Sequence, residues 1–239
     1  DEEKKYDLDK VIKAGYDTRL SAFEILVPAL INVYQTKVLT SDTVYVQLKE
    51  VMDVLKNWDY RCAEKSVATT LAITWGEVLL PFLSKAKGDD QVEKAKHLAA
   101  NATVTNMVEP MLQAIKKLQI NFGTWQVAWG EINRFQRISN DIEYKFDDKK
   151  PSLPVAFASS GWGSLPAYIS QPFAGTKKRY GLHGNSFICA VEFGKKIKAK
   201  SLLAGGESGD VNSKHFFDQG LMYSKGEFKD VLFYKEDIM

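Results

Sequence analysis

The chain changes character once, near residue 118, and that change constrains its fold more than any single motif. Before it, apolar residues recur at three- and four-residue spacing. Ala22, Leu26, Ala29, Leu30 and Val33 form one run; Val44, Leu48, Val51, Val54 and Leu55 form a second; Val67, Leu71, Trp75, Val78, Leu79 and Phe82 form a third, between Ala63 and about Ala86. Each is the stripe of a helix with one face turned to a core. Ser41 stands where the second run needs an N-cap, and Lys87, Gly88, Asp89 and Asp90 make a polar stop after the third. Pro28 is expected to kink or divide the first run. A fourth helix is expected from Gln91 to about Leu118, broken near Pro110.

After the change, Gly123, Gly161, Gly163, Gly175 and Gly181 punctuate short extended segments rich in aromatics. Residues 186–193 and 198–203, joined by Gly194, Lys195 and Lys196, read as an antiparallel hairpin. A short helix over 213–224 and an extended FKDVLF segment follow. The fold class is α+β, with a helical lobe over 1–118 and a β-rich segment over 119–239.

Charge and composition narrow the function classes. Thirty-two Lys and Arg face thirty Asp and Glu, a formal charge of +2, which calls for neither nucleic acid nor an anionic membrane. No apolar run reaches the ~18 residues of a membrane span, and DEEKKYDLDK at the N-terminus has no signal-peptide core. Cys62 and Cys189 could pair, or could both be buried thiols.

The residues alone display no chemistry of a familiar kind. There is no GxSxG elbow, phosphate loop, HExxH or CxxC, and His97, His183 and His215 lack metal-ligand spacing. Asn101, Ala102 and Thr103 match a glycosylation sequon, a common chance occurrence. Trp125, Trp129, Arg134, Phe135 and Arg137 interleave bases with aromatics as nucleic-acid binders do. The nearby acids Glu131, Asp141 and Glu143 favour aromatic packing at a junction instead. Glu192 stands out. In FICAVEF the alternation sets Phe187, Cys189, Val191 and Phe193 on one strand face and Ile188, Ala190 and Glu192 on the other. A carboxylate there is either a solvated strand end or a buried acid held by a partner, as catalytic carboxylates are.

Ordered segments carry a resemblance. They are YDTRLSAFEILVPALI from Tyr16, LKNWDYRCAEKSVATTLAITW from Leu55, WGEINRFQR from Trp129, DDKKPSLPVAF from Asp147, and HGNSFICAVEFGKKIKAKSLLAGGESGDVNSKHFFDQ from His183, followed by YSKGEFKDVLF. Together they resemble the C-terminal part of the β chain of penicillin acylases and of the related cephalosporin and acyl-homoserine-lactone acylases. The last segment is the most specific.

That resemblance implies a piece of an αββα sandwich, two antiparallel sheets between helical layers, with both halves of this chain belonging to one larger acylase domain. It implies an N-terminal-nucleophile hydrolase of linear amides, made as a self-cleaving precursor, whose Ser attacks with its own α-amine as base. The nucleophile and the oxyanion Asn precede the segments matched here, and Asp1 is not such a nucleophile, so the chain alone is expected to be inactive. Glu192 falls where the cephalosporin-acylase branch carries a carboxylate that orients a His beside the nucleophile, whereas the penicillin G branch has an Asp there, which implies a structural acid instead. Gly206, Ser208, Gly209, Ser213, His215, Asp218 and Gln219 match the closing signature and are expected to shape loops. β-Lactam side chains or N-acyl-homoserine lactones are the implied substrates. The partners are the upstream remainder of the acylase and a small N-acyl amide, with no cofactor, no metal and no membrane. Calcium, bound by some relatives, finds no matching site. The implied location is periplasmic or secreted, and the isolated piece is expected to self-associate. The rival expectation is a stand-alone, non-enzymatic α+β binding or scaffold module with an acylase-like shape.

Overall fold

A computed structural model describes residues 6–138 and 145–238, and the chain is α+β, with its long helices first and its sheets after them. Asp1, Asp141 and Glu143 lie outside the described residues. The described chain forms two compact units, one over 19–132 with 161–164 and the other over residues before 19, 133–160 and 165 onward.

The first unit is helical. Helix α2 spans Ser21–Lys37, α3 Thr43–Lys56, α4 Val67–Lys85, α5 Gln91–Ala100, α6 Glu109–Phe122 and the short α7 Trp129–Ile132. Pro28 does not divide α2, which runs unbroken with Phe23, Leu26, Val27, Leu30, Val33 and Tyr34 buried. Pro28 is exposed, so the carbonyl that it leaves unpaired one turn back can turn to water. Asp42, one residue past Ser41, is the N-cap residue of α3. Helix α4 is capped by Ser66, whose hydroxyl accepts from the Thr69 N–H. It is long and apolar enough to cross a membrane by length and composition, although 61% of its apolar window is buried within the structure.

The break expected at Pro110 falls earlier. Helix α5 stops at Ala100, and the Thr103 and Asn106 side chains then form a reciprocal capping box that opens a π-helical turn over Val104–Val108. Pro110 sits in the first turn of α6, where no intrahelical N–H is needed. The turn also serves the core, because the buried Trp75 indole donates to the Met107 carbonyl at 3.0 Å. Phe23 stacks on Trp162 with ring centroids 5.0 Å apart. Gly76 makes room for that indole, since a β-carbon there would lie 2.9 Å from the Trp162 ring.

The second unit begins with helix α1, Leu8–Gly15, capped by the Asp7 side chain. Its strands are β1 Asn133–Phe135, β2 Leu153–Pro154, β3 Tyr168–Pro172, β4 Arg179–Gly184, β5 Phe187–Glu192, β6 Lys198–Leu203 and β7 Lys229–Asp230, with helices α8 Gly220–Lys225 and α9 Lys235–Ile238. They make one sheet in the order β2-β1-β4-β3 and another in the order β5-β6-β7. Pairing is antiparallel except between β1 and β4, where Asn133 and Arg134 lie opposite Arg179 and Tyr180 in parallel register. Both sheets contribute to one core of Val155, Phe157, Tyr168, Leu202 and Tyr223.

Polar side chains hold the four-stranded sheet. Asn133 is fully buried and donates to the Val155 and Phe157 carbonyls at 2.7 and 3.0 Å, while the Ser170 hydroxyl donates to its Oδ1 at 2.6 Å. Asp148 accepts from the Lys177 N–H at 2.7 Å and the Tyr180 hydroxyl at 2.9 Å. The expected hairpin is present as β5 and β6, in register from Phe187 with Leu203 to Glu192 with Lys198. The helix expected over 213–224 is instead α8, shifted toward the C-terminus. Residues before it spend their side chains on nearby backbone: Asp210 N–H donates to Ser208 Oγ, Asn212 N–H to Asp210 Oδ1 and His215 N–H to Ser213 Oγ. Such local bonds compete with helix formation.

Candidate functional site

Glu192 closes strand β5, and its environment follows from the strand's alternation. The face bearing Phe187, Cys189, Val191 and Phe193 is exposed, while Ile188, Ala190 and Glu192 turn inward. The half-buried Glu192 carboxylate accepts from the Leu8 N–H at 3.1 Å, so its partner is the first turn of α1. Helix N-termini offer unpaired N–H groups and favour negative charge, which accounts for an acid at the end of an apolar strand. The other oxygen, Oε1, has no partner among the described residues.

A cleft of about 630 Å³ opens beside Glu192, lined by Asp7, Asp9, Lys196, Lys198, Lys200 and Asp237 among others. Its cations are largely matched. Lys200 pairs with Asp9 at 2.8 Å, and that carboxylate holds the ammonium above the ordinary lysine range. Lys196 lies 3.1 Å from Glu236 and 3.2 Å from Asp237, which raise it in the same way. The cleft can receive a polar molecule carrying both signs of charge, and Glu192 can accept a further hydrogen bond there.

The closing signature forms the second constellation, and its organiser is Arg137. One guanidinium nitrogen donates to the Gly206 carbonyl at 3.1 Å and the Phe216 carbonyl at 2.6 Å. The other donates to Ser208 at 3.1 Å, and the group lies 4.2 Å over the Phe216 ring. Gly205 holds φ at +90°, and a β-carbon there would meet the guanidinium at 2.5 Å, so this position requires glycine on both counts. Within the loop, His215 Nδ1 and Asp218 Oδ2 are 2.7 Å apart, and this bond holds the Asp218 carboxyl below its usual range. Glu207 accepts from Lys229 at 2.8 Å and from Gln219 at 3.0 Å, and the Lys229 bond is the larger cause of its lowered pKa. Gly206, Ser208, Ser213, His215, Asp218 and Gln219 therefore act on one another and on the backbone as loop-shaping residues. His215 and Asp218 are both exposed enough to meet solvent.

The remaining sequence candidates separate. Trp129 is buried in the helical unit, whereas Arg134 and Arg137 belong to the strand unit and bond to Ser152 and to the closing loop. Their guanidinium groups are committed to protein oxygens and not displayed as a basic face. Neither cysteine is in a disulfide, and Cys62 is buried while Cys189 is exposed, so the reading of two buried thiols holds only for Cys62. Cys189 is exposed because β5 turns that face outward. Among the described residues no three His, Cys, Asp or Glu side chains gather as metal ligands. Sequence reasoning missed Asn133 and Arg137 as organisers. Their signal was a polar residue interrupting the alternation of NRFQR, but nothing local tells which distant carbonyls they bind.

Comparison with known proteins bears on all of these segments together. The family model described as penicillin amidase matches residues 1–239. Among solved structures the chain is similar to thermostable penicillin G acylase from Alcaligenes faecalis in its orthorhombic form, at 16% identity and a TM-score of 0.46. The similarity covers 99% of this chain and 48% of that one, so the chain spans about half the length of the acylase chain it matches. With residues 1–239 matched by the family model, this chain belongs to the penicillin amidase family.

Proposed function

We propose that this chain is the C-terminal part of an amidohydrolase that cleaves linear amides. The observation that carries the reading is the match of the penicillin amidase family to residues 1–239, from first to last. The nucleophile belongs to the part of the family's length that this chain does not span, and the piece alone is inactive. In the whole enzyme a self-cleaved precursor exposes the nucleophile, whose hydroxyl attacks the amide carbonyl. The amine leaves with a proton, and water then releases the acid from the acyl-enzyme. β-Lactam side chains or N-acyl-homoserine lactones are the substrate classes, and the enzyme works in the periplasm or outside the cell. The partner of this chain is the upstream remainder of the same protein.

Glu192 is the residue to which we give a positioning role. Its Oε2 is anchored on the Leu8 N–H, which leaves Oε1 able to accept from an imidazole supplied by the rest of the protein. Exposed Phe187 and Val191 on β5, with Phe193 just past its end, give the isolated piece an apolar face through which it self-associates.

The deciding experiment is intact mass with N-terminal sequencing of the natural gene product. A two-chain protein whose larger chain begins with Ser, Cys or Thr and contains these 239 residues supports the reading. A single 26.9 kDa product starting near Asp1 overturns it in favour of a binding module. In the two-chain enzyme, Glu192→Gln is expected to lower kcat by about 100-fold and to displace its pH profile, with Glu192→Asp partly restoring both. A Glu192→Gln enzyme with the parent's kcat and pH profile ends the positioning role.

A further inference from the structure

A small crevice opens in the strand unit, lined by residues other than those of the cleft beside Glu192. It is open to solvent, offers about 150 Å³ and is lined by Phe135, Tyr168, Leu182, His183, Ala204 and Tyr223, among others. Its floor is aromatic. Phe135 and Tyr223 meet edge to face at 5.3 Å, and Tyr168 lies 6.4 Å from each of them. Gly181 keeps the space open, since a β-carbon there would fall 2.4 Å from the Tyr168 hydroxyl. His183, which is exposed, stands at the rim.

The hydroxyls of the two tyrosines differ in a way that points to a ligand. Tyr168 donates to the Arg134 carbonyl at 2.7 Å and is satisfied. Tyr223 is 4% exposed, lines the crevice, and its hydroxyl has no hydrogen-bond partner among the described residues. Burial pushes the Tyr223 hydroxyl up to about 12, so at neutral pH it remains a donor. That hydroxyl is not sealed within the core, so its donor is open to a molecule that enters the crevice. Besides the tyrosine hydroxyls, Ser186 and His183 are the polar side chains of the lining, and the rest of it is apolar or aromatic. A space of about 150 Å³ whose lining is mostly apolar and aromatic is sufficient for a single six-membered ring.

We infer that this crevice binds a single-ring aromatic molecule whose one polar substituent bonds to the Tyr223 hydroxyl while its ring packs against Phe135 and Tyr168. The site is independent of the proposed amide hydrolysis, and binding alone tests it.

Phenol and toluene are the probes, being nearly isosteric rings with and without a hydroxyl, titrated into the chain and followed by NMR shifts of residues around the crevice. Phenol is expected to saturate with a Kd on the order of 1 mM, as suits so small a ligand. Toluene is expected to bind about 5-fold more weakly, the contribution of one neutral hydrogen bond. Tyr223→Phe should erase that difference without unfolding the protein. Ala204→Leu should abolish binding of both probes by filling the space. Absence of saturable phenol shifts up to about 10 mM in the parent chain overturns the site. So does a phenol preference that survives Tyr223→Phe, or phenol affinity unchanged in folded Ala204→Leu.

Discussion

The helical unit draws its order from large apolar side chains that have left water completely, whereas the strand unit is tied by polar side chains reaching distant carbonyls. In the first, Trp75, Trp129, Phe23, Leu26, Leu30, Leu48 and Leu71 are all fully buried, and most arrive there through three- and four-residue spacing. In the second, short strands of 2 to 6 residues leave many backbone groups without ladder partners. Asn133, Gln136, Arg137 and Asp148 supply those partners across 11 to 79 positions of sequence. Non-directional burial tolerates rearrangement, but a hydrogen-bond hub fails when one atom is displaced. Substitutions should therefore behave differently in the two units.

The largest expected effect belongs to the helical unit. Trp75→Ala removes one of the two largest fully buried side chains and also strips the Met107 carbonyl of its donor. A cost of about 4 kcal/mol follows from the cavity and the unpaired carbonyl together. Trp75→Phe keeps most of the volume and loses only the N–H, so it should cost about 1 to 2 kcal/mol. Denaturant unfolding of the two variants checks this, and equal costs would mean that the hydrogen bond, and not burial, governs this unit as well.

Arg137→Lys tests the strand unit with little change in charge. A single ammonium cannot reproduce the planar fork that serves the Gly206, Phe216 and Ser208 carbonyls, nor its stacking on Phe216. A loss of about 2 kcal/mol is expected, with amides of the closing loop becoming unprotected in hydrogen exchange. Retained protection would show that the loop holds its shape through its own turns, and Arg137 would lose its place as organiser.

These two classes of interaction also explain what could be read from the residues alone. The spacing of Leu48, Val51 and Leu55 gives α3, and the alternation in FICAVEF gives β5 with Glu192 on its inner face. Misplacements came where a local signal had a non-local answer. Pro28 looked like a breaker, but its exposed position lets the helix continue. Pro110 looked like the break in the fourth helix, but the capping box of Thr103 and Asn106 sets the boundary earlier. The closing signature was legible as a set of loop-shaping residues, yet its dependence on Arg137 was not, because the bond spans 69 positions to Gly206. Glu192 was legible as an acid that is either a solvated strand end or held by a partner. That the partner is the Leu8 N–H, 184 positions away, required the fold.

The smallest expected effect separates surface charge from both kinds of interior. Glu207 ties the closing loop to β7 through Lys229 and also accepts from Gln219. The Lys229 bond, then the Gln219 bond, hold its carboxyl below the ordinary 4.5, against smaller opposing pushes from desolvation and from Asp218. A carboxyl lowered by folding contributes stability above its unfolded value. The contribution is therefore present at pH above 4.5 and disappears as pH falls through the lower folded value. Glu207→Gln should melt slightly below the parent at neutral pH and together with it near pH 2, where both side chains are uncharged. Added salt should narrow the neutral-pH gap, since the pair is solvent-exposed. A gap that persisted in acid would instead assign Glu207 to the same uncharged hydrogen-bond network as Asn133, extending the strand unit's polar scaffold to its surface.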